Sequence, residues 1–238
     1  MHRFYVEQPD ARGRYPLTAE DAHHARKVLR LQPGSEVELI TGGKRYRAKL
    51  TEDDLVEAGK ELPSTEPALR ITLLQGLPKG DKMDLIVQKA VELGVFRIIP
   101  IQMSRCVVHL TGPDGEKKRA RWQKIAREAG KQSGRCLVPE VSLPVPLSAL
   151  PALTAEEDAC LVPWEEARSA GPLAFARAHP HPEKISILIG PEGGITPEEI
   201  AALPSAFQPL TLGPRILRTE TAGLACVSAL LALYGEME

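Results

Sequence analysis

Ile185-Ser-Ile-Leu-Ile-Gly-Pro-Glu-Gly-Gly194 and Leu210-Thr-Leu-Gly-Pro-Arg-Ile-Leu-Arg-Thr-Glu-Thr-Ala222 decide the reading of this chain. In each, a short apolar run meets Gly-Pro. Such a run has the length and composition of a buried strand, and Gly-Pro stops it. Glycine has no Cβ, so a ligand or a second backbone can lie against the chain there. Ligands of open α/β sheets bind at the carboxyl ends of strands, so the two loops are expected to build one pocket. Neither loop fits G-x-G-x-x-G or G-x-x-x-x-G-K-[ST]. Gly76-Leu-Pro-Lys-Gly-Asp-Lys82 has the composition of a P-loop but the wrong spacing, and no Ser or Thr follows the lysine. The expected ligand is therefore one held by backbone polar groups and apolar side chains rather than by a nucleotide phosphate cradle.

Working outward, the chain from Arg70 alternates strand and helix patterns. Strands are expected at 70–75, 97–102, 159–164, 185–189 and 208–212, and helices at 82–93, 115–131, 172–178, 197–203 and 219–234. Alternation of this kind predicts a mostly parallel α/β sheet covered on both faces. The first sixty residues instead read as a small β-rich, barrel-like unit. Arg3–Val6 is a strand, Thr18 caps a helix running to about Leu31, and Thr41-Gly-Gly43 joins two strands of a hairpin. The polar, Pro-interrupted stretch from Gly59 to Ala68 reads as the linker, which divides the chain into 1–68 and 69–238.

Composition is that of an ordinary globular protein, 43% hydrophobic and 26% charged, with no apolar run long enough to span a membrane. The start, Met1-His-Arg-Phe-Tyr-Val, lacks a signal-peptide core, so a cytoplasmic location is expected. Cys106, Cys136, Cys160 and Cys226 are isolated, and the histidines do not cluster with carboxylates, so neither a metal site nor a disulfide framework is expected. Charge is balanced overall at −1, yet residues 71–148 carry +6 and residues 149–238 carry −7. A localised basic segment in a neutral protein points to a polyanion.

That segment centres on Lys117-Lys-Arg-Ala-Arg-Trp-Gln-Lys-Ile-Ala-Arg-Glu-Ala-Gly-Lys131, which with Arg135 holds eight basic residues against one acid. Trp122, Ile125, Ala126 and Ala129 supply its buried face, so Lys117, Lys118, Arg121, Lys124, Arg127 and Arg135 are candidate phosphate contacts. In the helix at 82–93, Asp81 is the expected cap, Gly94 the stop, and Leu85, Ile86, Ala90 and Leu93 the apolar stripe. Lys79, Lys82 and Lys89 are either its solvated face or cations presented beside the site. Thr196-Pro-Glu-Glu199 is a capping box with a purely structural role. Glu192 either shapes its Gly loop or contacts the ligand. Ile216 and Leu217 either fold into the core or sandwich a flat heterocycle. Thr219 is a candidate helix cap, and Arg218 is placed to steady a developing anion.

Leu77-Pro-Lys-Gly-Asp-Lys-Met-Asp84, Gln88-Lys89, Glu92-Leu-Gly94, Gln132-Ser-Gly-Arg135 and the two Gly-Pro loops together resemble the bacterial 16S rRNA uracil-N3 methyltransferases of the SPOUT class. His2-Arg-Phe-Tyr5 and Val28-Leu-Arg-Leu31 match the same family's N-terminal pattern. The resemblance implies a PUA-like RNA-binding β-barrel followed by an α/β domain with a C-terminal deep trefoil knot. It also implies a homodimer, S-adenosylmethionine as cofactor, and 16S rRNA in the 30S subunit as substrate, with no metal and no membrane. Carried over by position, the cofactor is held by Leu188, Ile189, Gly190, Glu192, Gly193, Gly194, Leu212, Gly213, Ile216, Leu217 and Thr221. Arg218 and Arg105 are the candidate catalytic residues. The chain departs from the family at Gln102-Met-Ser-Arg-Cys106, where an acidic residue commonly precedes the arginine, and at Lys131, usually uncharged or acidic. A related enzyme acting on a ribose hydroxyl and a non-enzymatic RNA-binding assembly factor are the alternatives.

Overall fold

The computed structural model describes residues 1–168 and 170–238 and divides them into two compact units. One is Met1–Glu66 with Gly130–Val138; the other is Pro67–Ala129 with Pro139–Glu238.

The first unit is a five-stranded sheet in the order β1-β3-β4-β5-β2, made of β1 (Arg3–Tyr5), β2 (Tyr15–Pro16), β3 (Glu36–Thr41), β4 (Lys44–Leu50) and β5 (Leu55–Leu62). The β3–β4 turn is Gly42-Gly43 at φ +56 and +75, a conformation only glycine takes cheaply at both positions. Phe4, Val37, Leu39, Ala48, Leu50 and Val56 form its core. Thr18 accepts from Asp21 N–H and starts α1 (Ala19–His23), but the helix continues only as one wide turn to Val28, and Arg30 turns left-handed at φ +55. β5 was not expected: Gly59–Leu62, read as linker, pairs with β4. Its exposed, charged residues hide the strand pattern.

Gly130–Val138 join this unit through buried charge. Arg135 is 3% exposed and fixed to Glu66 by two nitrogens, at 2.8 and 2.6 Å. Glu66 also accepts from Cys136 N–H and Leu137 N–H. Lys131 pairs with buried Asp21 at 2.8 Å, and Arg3 donates to the Lys131 and Gln132 carbonyls. Tyr5 O–H donates to Arg135 O; burial and the Glu66 charge push this phenol up. Arg135 is therefore not an RNA contact, and Lys131 does not enlarge the basic patch. Both neutralise acids of this unit.

The second unit contains β6 (Arg70–Gly76), α2 (Lys82–Leu93), β7 (Arg97–Gln102), most of α3 (Gly112–Ser133), β8 (Glu140–Val141), β9 (Val145–Pro146) and α4 (Leu150–Leu153). It continues with β10 (Ala159–Pro163), α5 (Pro172–Ala178), β11 (Lys184–Ile189), α6 (Pro197–Ala201), β12 (Phe207–Leu210) and α7 (Thr219–Leu233). Its sheet runs β12-β10-β11-β6-β7-β8, with β9 also on β7, and every pair is parallel. β6, β10 and β11 are buried almost end to end, as strands covered on both faces must be. β6 is first in the unit yet central, with β7 on one side and β11 on the other, so the winding reverses beside it. That is the switch point at which such sheets bind ligands. Among the described residues no helix is long and apolar enough to cross a membrane. All four cysteines are buried; burial pushes the Cys226 thiol up to about 12, and burial with the Glu157 charge pushes Cys160 to about 11.

α2 corrects the expected apolar stripe. Met83, Ile86, Val87, Ala90 and Val91 are buried, whereas Leu85 is 45% exposed. Asp81 stands at the cap position without a side-chain hydrogen bond, and Gly94 ends the helix at φ +102.

Glu66→Ala removes the carboxylate that pairs with buried Arg135 and accepts the Cys136 and Leu137 N–H groups. We expect a loss of roughly 3–5 kcal/mol, read by urea denaturation. A loss below about 1 kcal/mol would show that the pair does not hold Gly130–Val138 in place.

Candidate functional site

Three segments meet at the carboxyl ends of β6 and β11. β6 ends in Gly76, whose missing side chain is required: a Cβ there would lie 2.7 Å from Pro191 N and 2.9 Å from Ile189 O. Beside it, Gln75 is fully buried and donates to Thr219 Oγ1 at 2.9 Å, and Thr219 donates to Gly190 O at 2.6 Å. The first Gly-Pro loop, the start of α7 and the end of β6 are thus joined through one hydroxyl. Thr219 is not the helix cap. Arg218 takes that position, at φ −67 and ψ 154, and no side chain caps the helix. Gln75 Oε1 stays buried without a partner.

Charge closes the same junction from outside. Lys82 Nζ lies 3.0 Å from Glu192 in the first loop and 3.1 Å from Glu220 in the first turn of α7. Glu192 also accepts the Lys79 N–H on both oxygens. Partial burial pushes Glu192 and Glu220 up, but for Glu192 the Lys82 and Lys79 bonds, and for Glu220 the N–H groups of its helix start with Lys82, win and hold both carboxyls below their usual range. The Glu192 hydrogen bond leads in raising Lys82. Lys82 is therefore a tie between loops, not a cation offered to a partner. Lys89 is likewise paired, with Glu92 at 2.8 Å, and Arg121 with Asp84. Lys79 remains exposed, as do Lys117 and Lys124, while Lys118 and Arg127 are half-buried; none of these five is in an ion pair among the described residues. Trp122, Ala126 and Ala129 are buried as expected, with Ile125 at the margin.

Arg105 packs on the first loop from the turn after β7. Its guanidinium donates to Gly193 O at 2.8 Å, and a Cβ on Gly193 would lie 2.9 Å from the Arg105 Cβ. The capping box Thr196–Glu199 is present with both of its bonds. It does more than cap. Glu199 Oε2 accepts from Thr196 N–H, while Oε1 accepts the Ser104 N–H at 2.8 Å, so one carboxylate fixes both α6 and the Arg105 turn. In the second Gly-Pro loop, Gly213 stands at φ +101 with open space where a side chain would be, Leu212 and Leu217 are half-buried, and Ile216 is 86% exposed. Ile216 does not fold into the core. Arg215, Arg218 and Thr221 are exposed beside it. Leu188 and Ile189 are buried in β11 and Pro191 in the loop, leaving Gly190 and Glu192 to Gly194 as the accessible part of the first loop.

The comparisons with known proteins agree over the whole chain. Residues 65–231 match the RNA methyltransferase domain and residues 17–58 the RNA methyltransferase PUA domain. Ribosomal RNA small subunit methyltransferase E of Bacillus subtilis (strain 168) is 34% identical over 97% of this chain and 96% of its own. The chain belongs to this family. The solved structure of ribosomal RNA small subunit methyltransferase E from Neisseria gonorrhoeae, bound to S-adenosyl methionine, shares 37% identity over 98% of both chains with a TM-score of 0.83. A Legionella pneumophila methyltransferase in complex with the same cofactor shares 32% identity over 98% of both, with a TM-score of 0.80. The family's α/β class with an N-terminal PUA domain is the fold described above.

The sequence reading missed Glu199's second bond, because it depends on which strands are neighbours. Ser104 and Glu199 are 95 residues apart.

The Lys79 amide reports the tie. Because both carboxyls are held low, the Lys82 pairs persist through neutral pH and are lost only as pH falls below the ordinary carboxylate range. By NMR, the Lys79 amide shift is expected to be flat from neutral to mildly acid pH and to move only below it; a midpoint near neutrality would contradict the tie. Glu199→Ala is expected to cost about 1 kcal/mol for the cap, read by thermal melting, and to broaden the Ser104 and Arg105 resonances.

Proposed function

We propose that this chain transfers the methyl group of S-adenosylmethionine to N3 of a specific uridine in 16S rRNA, within the 30S subunit. The observation that carries the proposal is the near full-length similarity to ribosomal RNA small subunit methyltransferase E, together with the first Gly-Pro loop and the start of α7 locked to the end of β6 at the switch point of the sheet. The residues fit the cofactor. Gly213 leaves open space, Ile216 is an apolar side chain without cover, and Gly190 to Gly194 present backbone polar groups. A flat, largely uncharged adenosine suits such a lining better than a phosphate does. When bound, the cofactor supplies an electrophilic methyl group.

The protein's part is to orient the base and favour loss of its proton. Uracil N3–H is a weak acid whose anion spreads charge onto both carbonyl oxygens. Arg218, exposed at the start of α7, and Arg105, held on Gly193, are the cations that stabilise that anion. The base leaves its stack to reach them. Lys79, Lys117, Lys118, Lys124 and Arg127 hold the RNA backbone, and the PUA-like unit adds to the grip. The reading includes a trefoil knot: the close approach of Gly76 to Pro191 and the Thr219 bonds fit a chain end threaded against β6.

It also includes a homodimer. α7 is apolar on nearly all sides, yet Thr221, Ala232 and Leu233 are exposed and Leu224, Ala225, Ser228 and Ala229 only half-buried, as suits a helix awaiting a second copy. The 30S substrate is cytoplasmic, and so, on this reading, is the protein.

Incubation with labelled cofactor and unmodified 30S subunits, followed by mass spectrometry, is expected to place the label on uracil N3; label on a ribose oxygen, or none, refutes the assignment. Arg218→Ala is expected to lower turnover about a hundredfold or more with cofactor affinity nearly kept. Lys124→Glu with Arg127→Glu is expected to flatten the salt dependence of RNA binding by about one logarithmic unit per lost phosphate contact. An unchanged slope removes this face from the interface.

A further inference from the structure

The two Gly-Pro loops are not neighbours. β10 lies between β11 and β12, so the segment leaving β10 stands between them. That segment carries Trp164 and Glu165. Trp164 N–H donates to Leu210 O at 3.0 Å, tying the segment to the end of β12. On its other side the Glu165 carboxylate lies on Gly194: a Cβ there would be 2.9 Å from Oε1 and 3.5 Å from Oε2. Gly194 also stands at φ +73, a conformation that favours glycine there. The Trp164 bond ties the segment to β12, and the exposed Glu165 carboxylate lies against the loop that the cofactor reading makes a wall of the pocket.

Its partners differ from those of the acids around it. Glu192 and Glu220 are neutralised by Lys82, and Glu199 accepts two backbone N–H groups. The Glu165 carboxylate has no ion pair or hydrogen bond among the described residues, since the nearby Arg168 donates instead to the Glu165 backbone carbonyl. The cations of the site, Arg105 on Gly193 and exposed Arg215 and Arg218, suit an RNA anion and repel a cationic ligand. S-adenosylmethionine carries a sulfonium and an ammonium beside one carboxylate, for a net positive charge. Removing a sulfonium or ammonium from water without a partner is costly, so a carboxylate facing either one favours the bound cofactor.

We infer that Glu165 supplies the counter-charge to the cationic methionine part of S-adenosylmethionine, an inference that rests on the cofactor reading above. A carboxylate facing the sulfonium also discriminates cofactor from product, because S-adenosylhomocysteine has lost that charge. Facing the ammonium, it holds both alike.

Calorimetry on the full chain decides, comparing wild type with Glu165→Gln against S-adenosylmethionine, S-adenosylhomocysteine and neutral 5′-methylthioadenosine. The expected result is a roughly tenfold loss of S-adenosylmethionine affinity with 5′-methylthioadenosine unchanged, at an unaltered melting temperature. Loss confined to S-adenosylmethionine assigns the sulfonium, and equal loss for S-adenosylhomocysteine assigns the ammonium; either supports the inference. An equal loss on all three ligands shows that Glu165 only shapes the loop, and unchanged S-adenosylmethionine affinity shows that it faces no charge; either overturns it. Glu166→Gln, a neighbouring exposed acid, is expected to bind all three as wild type does. If the wild-type chain binds neither S-adenosylmethionine nor S-adenosylhomocysteine, the cofactor reading fails and takes this inference with it, an outcome distinct from a failure of Glu165→Gln alone.

Discussion

The Thr219 hydroxyl is the joint on which the site depends. It is 7% exposed, accepts from the Gln75 amide and donates to the Gly190 carbonyl. Those two bonds connect the end of β6, the loop after β11 and the first residue of α7, across as many as 144 positions of sequence. A buried donor or acceptor left unpaired costs on the order of 1–3 kcal/mol, so none of the three segments can shift alone. Gly76 adds the steric half of the constraint, since only the absence of a Cβ lets β6 end against Pro191. Arg218 precedes this joint by one residue and Glu220 follows it by one, so their placement comes from it.

Electrostatics around the joint sorts the cations into two kinds. Lys82 belongs to the scaffold, with Glu192 and Glu220 as its partners. Lys131 and Arg135 serve the first unit in the same way, through Asp21 and Glu66. What is left of the basic run without an ion pair among the described residues is Lys117, Lys118, Arg119, Lys124 and Arg127, with Lys79 outside the run. The basic run therefore carries less uncompensated charge than its composition suggests. Sequence counts charges; it does not show which are already neutralised.

The strand and helix order of residues 70 to 238 was legible because buried parallel strands and amphipathic helices carry distinct periods. Apolar runs such as Ile185–Ile189 are hard to read otherwise, and Thr196–Glu199 sets a helix start by local hydrogen bonds alone. β5 was not legible, because its exposed Glu57 to Glu61 lack the alternation that burial of one face imposes. The α2 stripe was misread at Leu85, which the period allows but which finds nothing to pack against. Both Gly-Pro loops were found, since Gly-Pro punctuation is local. Trp164-Glu165 passed unnoticed, because nothing in that dipeptide says that β10 will be threaded between β11 and β12.

By itself, then, the sequence determined the class of each unit, the two Gly-Pro loops, the basic helix and the family. These rest on local chemistry: turn residues, caps and hydrophobic period act over a few positions. Tertiary structure alone decided which carboxylates are neutralised, which arginine is buried, what Thr219 bonds, and which third loop stands between the other two. Those properties depend on distances between residues far apart in the chain, and such distances exist only after the strands have chosen their neighbours.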